Sequence, residues 1–371
     1  MQPLGKVFSM RNYNALCIGG IFALLSCVVM AASSPAKAAA TLDFLCWAGV
    51  DDPALLGAFE KDTGIKVRSK TFFGADAMYS SLSNSINTYD VVMVGPEYMG
   101  KLYADGRLAT LDPADYDLSQ YIPTFKKLPL CHAKDKMIAI PIEFGANGLA
   151  YNTSILSADE VSSYSILMSE KVKGKVGVWD RYLPIMGVLS KSLGNATPYD
   201  ISDEKFMALK KELFALRQQV SVIAPNFPVL IASLARGETV VVPGGAAFFA
   251  AALQRQGIPV DWTIPNEGGI MWVDSLVIPV DAPHPDLARR FLQWMCTPKA
   301  QALLANKKAF AASVPNAAAY PAIDPALRKF LKTEDGEEAE TLARKLSVRT
   351  LPVQQGEQIW QTAWEEFKTA K

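Results

Sequence analysis

Residues 41–103 read TLDFLCWAGVDDPALLGAFEKDTGIKVRSKTFFGADAMYSSLSNSINTYDVVMVGPEYMGKLY, and their periodicity decides the fold class. Leu42, Phe44 and Cys46 recur at period two, the repeat of a strand. Pro53 to Thr63 fits a helix. Pro53 suits a first turn, Leu55, Leu56 and Phe59 form an apolar stripe, and Gly64 stands where a left-handed residue ends a helix. Ile65 to Phe72 returns to strand, and Asp76 to Ile86 reads as a helix with Met78, Leu82 and Ile86 on one face. Asp90 to Val94 is a short buried strand closed by Gly95-Pro96, and a further helix runs to Tyr103. Strand, helix, strand, helix, strand with short connections predicts a mostly parallel sheet with right-handed crossovers. Ligands of such sheets sit beyond the carboxyl ends of the strands. That rule gathers Trp47, Phe73-Gly74 and Gly95-Pro96-Glu97 around one opening.

Outward from this unit the pattern returns. Lys175 to Trp179 reads as strand, Leu183 to Leu193 and Asp203 to Gln218 as helices, and Val240 to Val242 as a buried strand. That strand leads through Pro243-Gly244-Gly245 into a helix ending at Gly257. Two extended stretches, 138–151 and 270–280, lie between the units and are expected to cross from one to the other. The tail, Ile359 to Lys371, reads as an amphipathic helix with Trp360, Trp364 and Phe367 buried. A chain of 371 residues exceeds the size at which single cores stop growing, so two lobes are expected. The predicted fold class is α/β: two lobes with mixed sheets, a crossover-strand hinge and an interlobe cleft. The predicted division is 39–148 plus 275–313 for the first lobe, and 149–274 plus 314–371 for the second.

The first 38 residues read as a secretory signal: Lys6 and Arg11, then an apolar run from Ala15 to Ala32, then Ala36-Lys37-Ala38 as an exit. Leu24-Leu25-Ser26-Cys27 also resembles a lipoprotein cleavage box, but the apolar run continues past Cys27, which favours cleavage at the later site. Either route places the working part outside the cytoplasm, in the periplasm. Removing Lys6, Arg11 and Lys37 leaves 34 basic against 37 acidic residues. That slight acidity argues against a nucleic-acid or polyanion binder. Cys46, Cys131 and Cys296 lack the spacing of a metal site. An oxidising compartment permits one disulfide, Cys46 with Cys131 being the pair considered, although the fold does not read as dependent on it.

Enzyme signatures are scarce. His132 and His284 stand far apart, and there is no H-E-x-x-H, no G-x-S-x-G and no G-x-G-x-x-G after a strand. Gly95-Pro96-Glu97-Tyr98-Met99-Gly100-Lys101 has phosphate-loop spacing. However, Leu102 replaces the magnesium-binding hydroxyl, Pro96 removes a donor and Glu97 repels phosphate. No catalytic residue, metal ligand or cofactor is assigned.

The stretch Glu267-Gly268-Gly269-Ile270-Met271-Trp272-Val273-Asp274-Ser275-Leu276 carries the candidate chemistry. In extended chain Trp272 and Asp274 share a face. An aromatic face beside a carboxylate suits an organic ammonium: the ring contributes roughly 0.5–2 kcal/mol and the charge-assisted hydrogen bond about 1.5–3 kcal/mol. Equally, Asp274 could cap a turn and Trp272 fill the core. Trp47 adds a second aromatic at the opening, and Glu97, Asp180 and Glu143 could add negative charge. Trp179 and Tyr182 are candidate walls.

These segments together resemble the polyamine-binding proteins of bacterial ABC importers, the spermidine/putrescine-binding family. The resemblance is carried by Phe44-Leu45-Cys46-Trp47, Phe59 to Val67, Tyr89 to Val92, Ile140-Pro141 with Gly145-Ala146, and Asn266 to Pro279. It implies two α/β lobes closing over one solute, a membrane permease as partner, no cofactor and a monomer. It also implies roles for Trp47 and Trp272 as aromatic walls and for Asp274 as the ammonium-binding carboxylate. Elsewhere the chain departs from the family. Gly95 and Glu97 replace a small hydroxyl residue and an aromatic. Arg181 and Pro184 fall near the second-lobe carboxylates, with Asp180 one position from the first, and Pro243 falls at a cleft tryptophan. Arg181 would suit a ligand with an anionic end, such as an amino-acid-like or opine-like zwitterion. Two alternatives therefore stand beside an amine receptor: an anion or carboxylate receptor using the helix start at Gly244-Gly245, and an exported enzyme.

Overall fold

The computed structural model describes residues 40–370 except 246, 308 and 309, so the signal (1–38) and Cys27 lie outside the described residues. The strands are β1 (Thr41–Trp47), β2 (Lys66–Phe72), β3 (Val91–Val94), β4 (His132–Ala133), β5 (Lys136–Met137), β6 (Ile140–Asn152), β7 (Val176–Trp179), β8 (Val220–Ala224), β9 (Val241–Gly245), β10 (Val260–Thr263), β11 (Gly269–Val277) and β12 (Leu346–Val348). The helices are α1 (Pro53–Thr63), α2 (Ala75–Ser83), α3 (Pro96–Ala104), α4 (Pro123–Lys126), α5 (Tyr182–Ser192), α6 (Asp203–Arg217), α7 (Phe227–Ala235), α8 (Ala247–Gln254), α9 (Pro285–Met295), α10 (Pro298–Ala305), α11 (Pro325–Leu331), α12 (Gly336–Arg344) and α13 (Glu357–Thr369).

The opening β-α-β-α-β unit folds as its periodicity predicts. Asp52 caps α1 by accepting from the Ala54 amide, Pro53 fills the first turn, and Gly64 closes the helix at φ 72° with its N–H on Glu60. β1 pairs in parallel with both β2 and β3. The main path runs β2-β1-β3-β11-β6-β9-β7-β8. β11 is antiparallel to β3 and β6, and β6 is antiparallel to β9, so the sheet is mixed. β7 then runs parallel to β8 and β9.

β6 and β11 are the two stretches expected to cross, and they lie side by side at the centre of this path. Each spans two cores. Phe144 of β6 and Val273 of β11 pack with Phe44, Phe59 and Phe291, whereas Leu149 of β6 and Ile270 of β11 pack with Leu213, Trp360 and Phe367. α13 buries Trp360, Trp364 and Phe367 against the second core, as its apolar stripe predicts. One assignment changes. Val314, Ala319, Tyr320, Ile323, Ala339 and Ala343 fill the first core, although the sequence division put 314–371 with the second. The reason is that 314–343 folds as a 3-10 turn and short helices, with no strand pattern to reveal its side. A further change concerns Pro243-Gly244-Gly245, expected to lead from the strand into a helix start, which instead continues β9.

Cys46, Cys131 and Cys296 are buried free thiols, so the Cys46–Cys131 pairing is not formed. Burial pushes the Cys131 and Cys296 thiols up to about 12. Cys131 lies 3.7 Å from the Ser275 hydroxyl. Among the described residues, no helix is long and apolar enough to cross a membrane.

Candidate functional site

The floor of the site is the β6/β11 pair. Trp272 stands opposite Gly145, and Asp274 opposite Glu143, in antiparallel register. Side chains on directly opposed residues share a face. Trp272, Asp274 and Glu143 are therefore neighbours on one surface, and Gly145 leaves the remaining position open. A Cβ on Gly145 would lie 2.4 Å from Cζ2 of Trp272, so the indole occupies the space a side chain would need. Phe248 meets Trp272 edge to face at 6.4 Å. Gly145→Ala is accordingly expected to push the indole aside, at a stability cost of about 1–3 kcal/mol. Titration calorimetry should show amine affinity falling by about tenfold, the worth of one aromatic contact.

Asp274 is buried, with 8% of its surface exposed. Trp47, at the end of β1, donates its Nε1–H to Asp274 Oδ1 at 3.1 Å. Two of the predicted residues thus meet across a sequence distance of 227 positions. Burial first, then the Glu143 carboxylate opposite, raises the Asp274 pKa well above the ordinary carboxylate range; Arg349 and the Trp47 bond act the other way.

Both neighbouring acids have basic partners. Lys307, just after α10, pairs with Glu143; both side chains are almost wholly enclosed, at 1% and 4% exposed. Arg349, just after β12, grips Glu97 through Nη2 at 3.1 and 3.2 Å and Nε at 3.3 Å. Burial opposes the Arg349 charge, but Glu97, Tyr199 and Asp274 outweigh it and raise its pKa. Among the described residues Asp274 forms no ion pair. Glu97, predicted to line the opening, is buried and committed to Arg349.

At the mouth, Glu357 at the start of α13 accepts from Tyr98 at 3.3 Å, Tyr182 at 3.1 Å and Gln361 at 3.0 Å. Tyr98 also donates to Asp76. The hydroxyls of Tyr98, from α3, and Tyr182, from α5, thus meet on one carboxylate. Burial raises the pKa of both phenols.

Asp180 and Arg181 part company with the floor. Asp180 accepts from Trp364 Nε1 at 2.7 Å and Lys368 Nζ at 3.2 Å, which commits its carboxylate to α13. Asp180→Asn should therefore leave amine affinity within about twofold and lower stability by about 1 kcal/mol, read as a shifted denaturation midpoint. Arg181 is exposed, lies over the Trp179 ring at 5.1 Å and donates to the Asp180 carbonyl at 2.8 Å. A side chain at Gly74 would come within 3.3 Å of its Nη2, so it reaches across the mouth to the loop after β2.

The glycines considered for an anion are filled by packing. Gly244 sits against Ile185 and Pro184, its carbonyl accepts from Asn147, and Gly245 abuts Ala150 and Val242. The phosphate-loop spacing carries no such site either, since Glu97 is buried in its ion pair. An open groove of ≈ 720 Å³ between α8, α10 and α11 is lined by Lys307, Asp324 and Phe330, but by neither tryptophan of the site nor Asp274.

Lys307, Arg349 and Glu357 were invisible to sequence reasoning. Each reaches the site from a segment with no motif, and no local spacing connects them to β6 or β11.

Several known proteins are similar to this chain. The spermidine/putrescine-binding periplasmic protein of Escherichia coli K12 is 27% identical over 297 residues, covering 79% of this chain and 80% of its own. The putrescine/agmatine-binding protein of Pseudomonas aeruginosa is 24% identical over 381 residues, covering 95% and 99%. Among solved structures, the spermidine/putrescine ABC transporter substrate-binding protein of Streptococcus pneumoniae superposes with a TM-score of 0.75 at 19% identity, covering 89% and 98%. The two-lobed α/β fold is therefore shared. The model of the bacterial extracellular solute-binding protein family matches residues 54–329, most of the chain. A mixed sheet with two central strands, Trp272 and a buried carboxylate on their shared face and Trp47 bonded to that carboxylate from β1, is thus built on that family's framework, and the chain belongs to the bacterial extracellular solute-binding proteins.

Proposed function

We propose that this protein is the periplasmic receptor of an ABC importer and captures a polyamine or related small amine, seating an ammonium group at Asp274 between Trp47 and Trp272. One observation carries the reading: a carboxylate buried on the floor, held by an indole N–H and lacking an ion pair among the described residues. Such a group is costly to ionise alone and is stabilised by an incoming cation. The relatives' names point the same way, since they bind spermidine, putrescine, cadaverine or agmatine.

In this reading residues 1–38 direct export and are removed. Residues 39–148 plus 275–313 form one lobe and 149–274 most of the other, with 314–343 packing on the first and α13 on the second. The β6/β11 pair serves as the hinge. Glu97 acts indirectly by holding Arg349, Asp180 by anchoring α13, and Arg181 as a residue of the mouth. The receptor works as a monomer, delivers its solute to a membrane permease and performs no catalysis.

A ligand bound only by the folded state raises the melting midpoint by mass action. A thermal-shift screen of the protein lacking residues 1–38 should therefore respond to putrescine, spermidine, cadaverine or agmatine. Responses confined to inorganic anions or amino acids would overturn the amine assignment.

A further inference from the structure

The floor carries three carboxylates, Glu97, Glu143 and Asp274, against two basic groups, Arg349 and Lys307. Arg349 and Glu97 satisfy each other through a fork of hydrogen bonds. Glu143 and Asp274 are directly opposed across β6 and β11, a placement in which like charges repel. Left to themselves, they would form a double-acid seat suited to two ammonium groups or to a guanidinium fork. Lys307 removes one half of that seat.

We infer that Lys307 is a resident ammonium of the binding floor: by occupying Glu143 it sets the number of cationic groups the floor accepts at one, taken at Asp274. This rests on the amine reading above and deepens it. The ligand class is an amine with one cationic group at its leading end, the remainder of the molecule lying toward the mouth. Asp76 and Glu357 face that mouth with their tyrosines and stand apart from the count on the floor.

Several observations favour this role over plain structural support. The Lys307 side chain is 1% exposed, and among the described residues its ammonium bonds Glu143 and, at 3.3 Å, the Leu304 carbonyl. Enclosing an ion pair costs desolvation that apolar side chains of similar size would avoid. The pair stands beside Asp274, which has no ionic partner among the described residues, so its effect on charge there is largest. Lys307 also comes from outside the crossover strands, 164 positions from Glu143, so it can tune the floor without altering the β6/β11 register.

The test is titration calorimetry with 1-aminopropane and 1,3-diaminopropane on three proteins: the wild type, Lys307→Met, and Lys307→Met combined with Glu143→Gln. Lys307→Met frees Glu143, so the diamine should gain about tenfold or more while the monoamine gains less. The double variant restores a single uncompensated acid, and both ligands should return to within about threefold of wild type. This neutral pair also covers the case in which Lys307→Met does not fold. A diamine-to-monoamine preference unchanged in Lys307→Met overturns the inference, as does a double variant weakened about tenfold or more for either ligand. If the wild type binds neither these probes nor any polyamine, the amine reading itself fails and this inference with it. Binding by the wild type with no response to Lys307→Met sinks the inference alone.

Discussion

Asp274→Asn is expected to weaken amine binding by about a hundredfold while raising the melting midpoint of the ligand-free protein. Removing one partner of a buried hydrogen-bonded charge pair costs about 2–5 kcal/mol of binding. Asparagine keeps the shape and can still accept from Trp47, so the loss isolates the charge. Stability moves in the opposite direction because burial and Glu143 raise the folded pKa of Asp274 above its unfolded value. The sign follows from linkage. Below the unfolded pKa, near 3.9, the group is protonated in both states and imposes no penalty. As pH rises through the raised folded pKa, the unfolded chain sheds this proton first, and the folded state loses stability. The variant should therefore exceed the wild type in midpoint at neutral pH, with the difference closing in acid. Amine affinity of the wild type should rise with pH over the same window, because only the ionised carboxylate attracts the ammonium. Calorimetry and thermal denaturation at acid and neutral pH check both signs.

Arg349→Met should give the largest stability loss of any single change at this site, about 3–5 kcal/mol. The Arg349 side chain is 12% exposed and holds Glu97, whose side chain is 5% exposed. Methionine replaces much of the buried stem but leaves Glu97 enclosed without its ion-pair partner. Arg349 also moderates the repulsion among Glu97, Glu143 and Asp274. Its loss should therefore raise the Asp274 pKa further and shift the onset of amine binding to higher pH. Denaturant midpoints give the stability term, and the pH dependence of affinity separates this electrostatic effect from simple unfolding.

The sequence made the framework legible because its determinants are local. Alternation in β1, the cap at Gly64 and the stripe of α13 each operate within a few residues. The same holds for Trp272 and Asp274, whose shared face follows from period two. Their meeting with Trp47 came from the rule that loops after parallel strands converge. The charge balance of the floor had no such local signal. Lys307 and Arg349 reach Glu143 and Glu97 from 164 and 252 positions away. Asp180 misled for the opposite reason: its position after β7 suits a cleft, but Trp364 and Lys368 on α13 claim its carboxylate. Segment 314–343 lacked a strand pattern, and its core membership emerged only from tertiary packing.

The most direct test is a crystal structure of the protein lacking residues 1–38 with putrescine bound. One ammonium is expected about 2.7–3.0 Å from a carboxylate oxygen of Asp274, with methylenes against Trp272 and Lys307 still on Glu143. Putrescine bound elsewhere, in the groove between α8 and α11 for instance, with Asp274 left without a cation, would contradict that expectation.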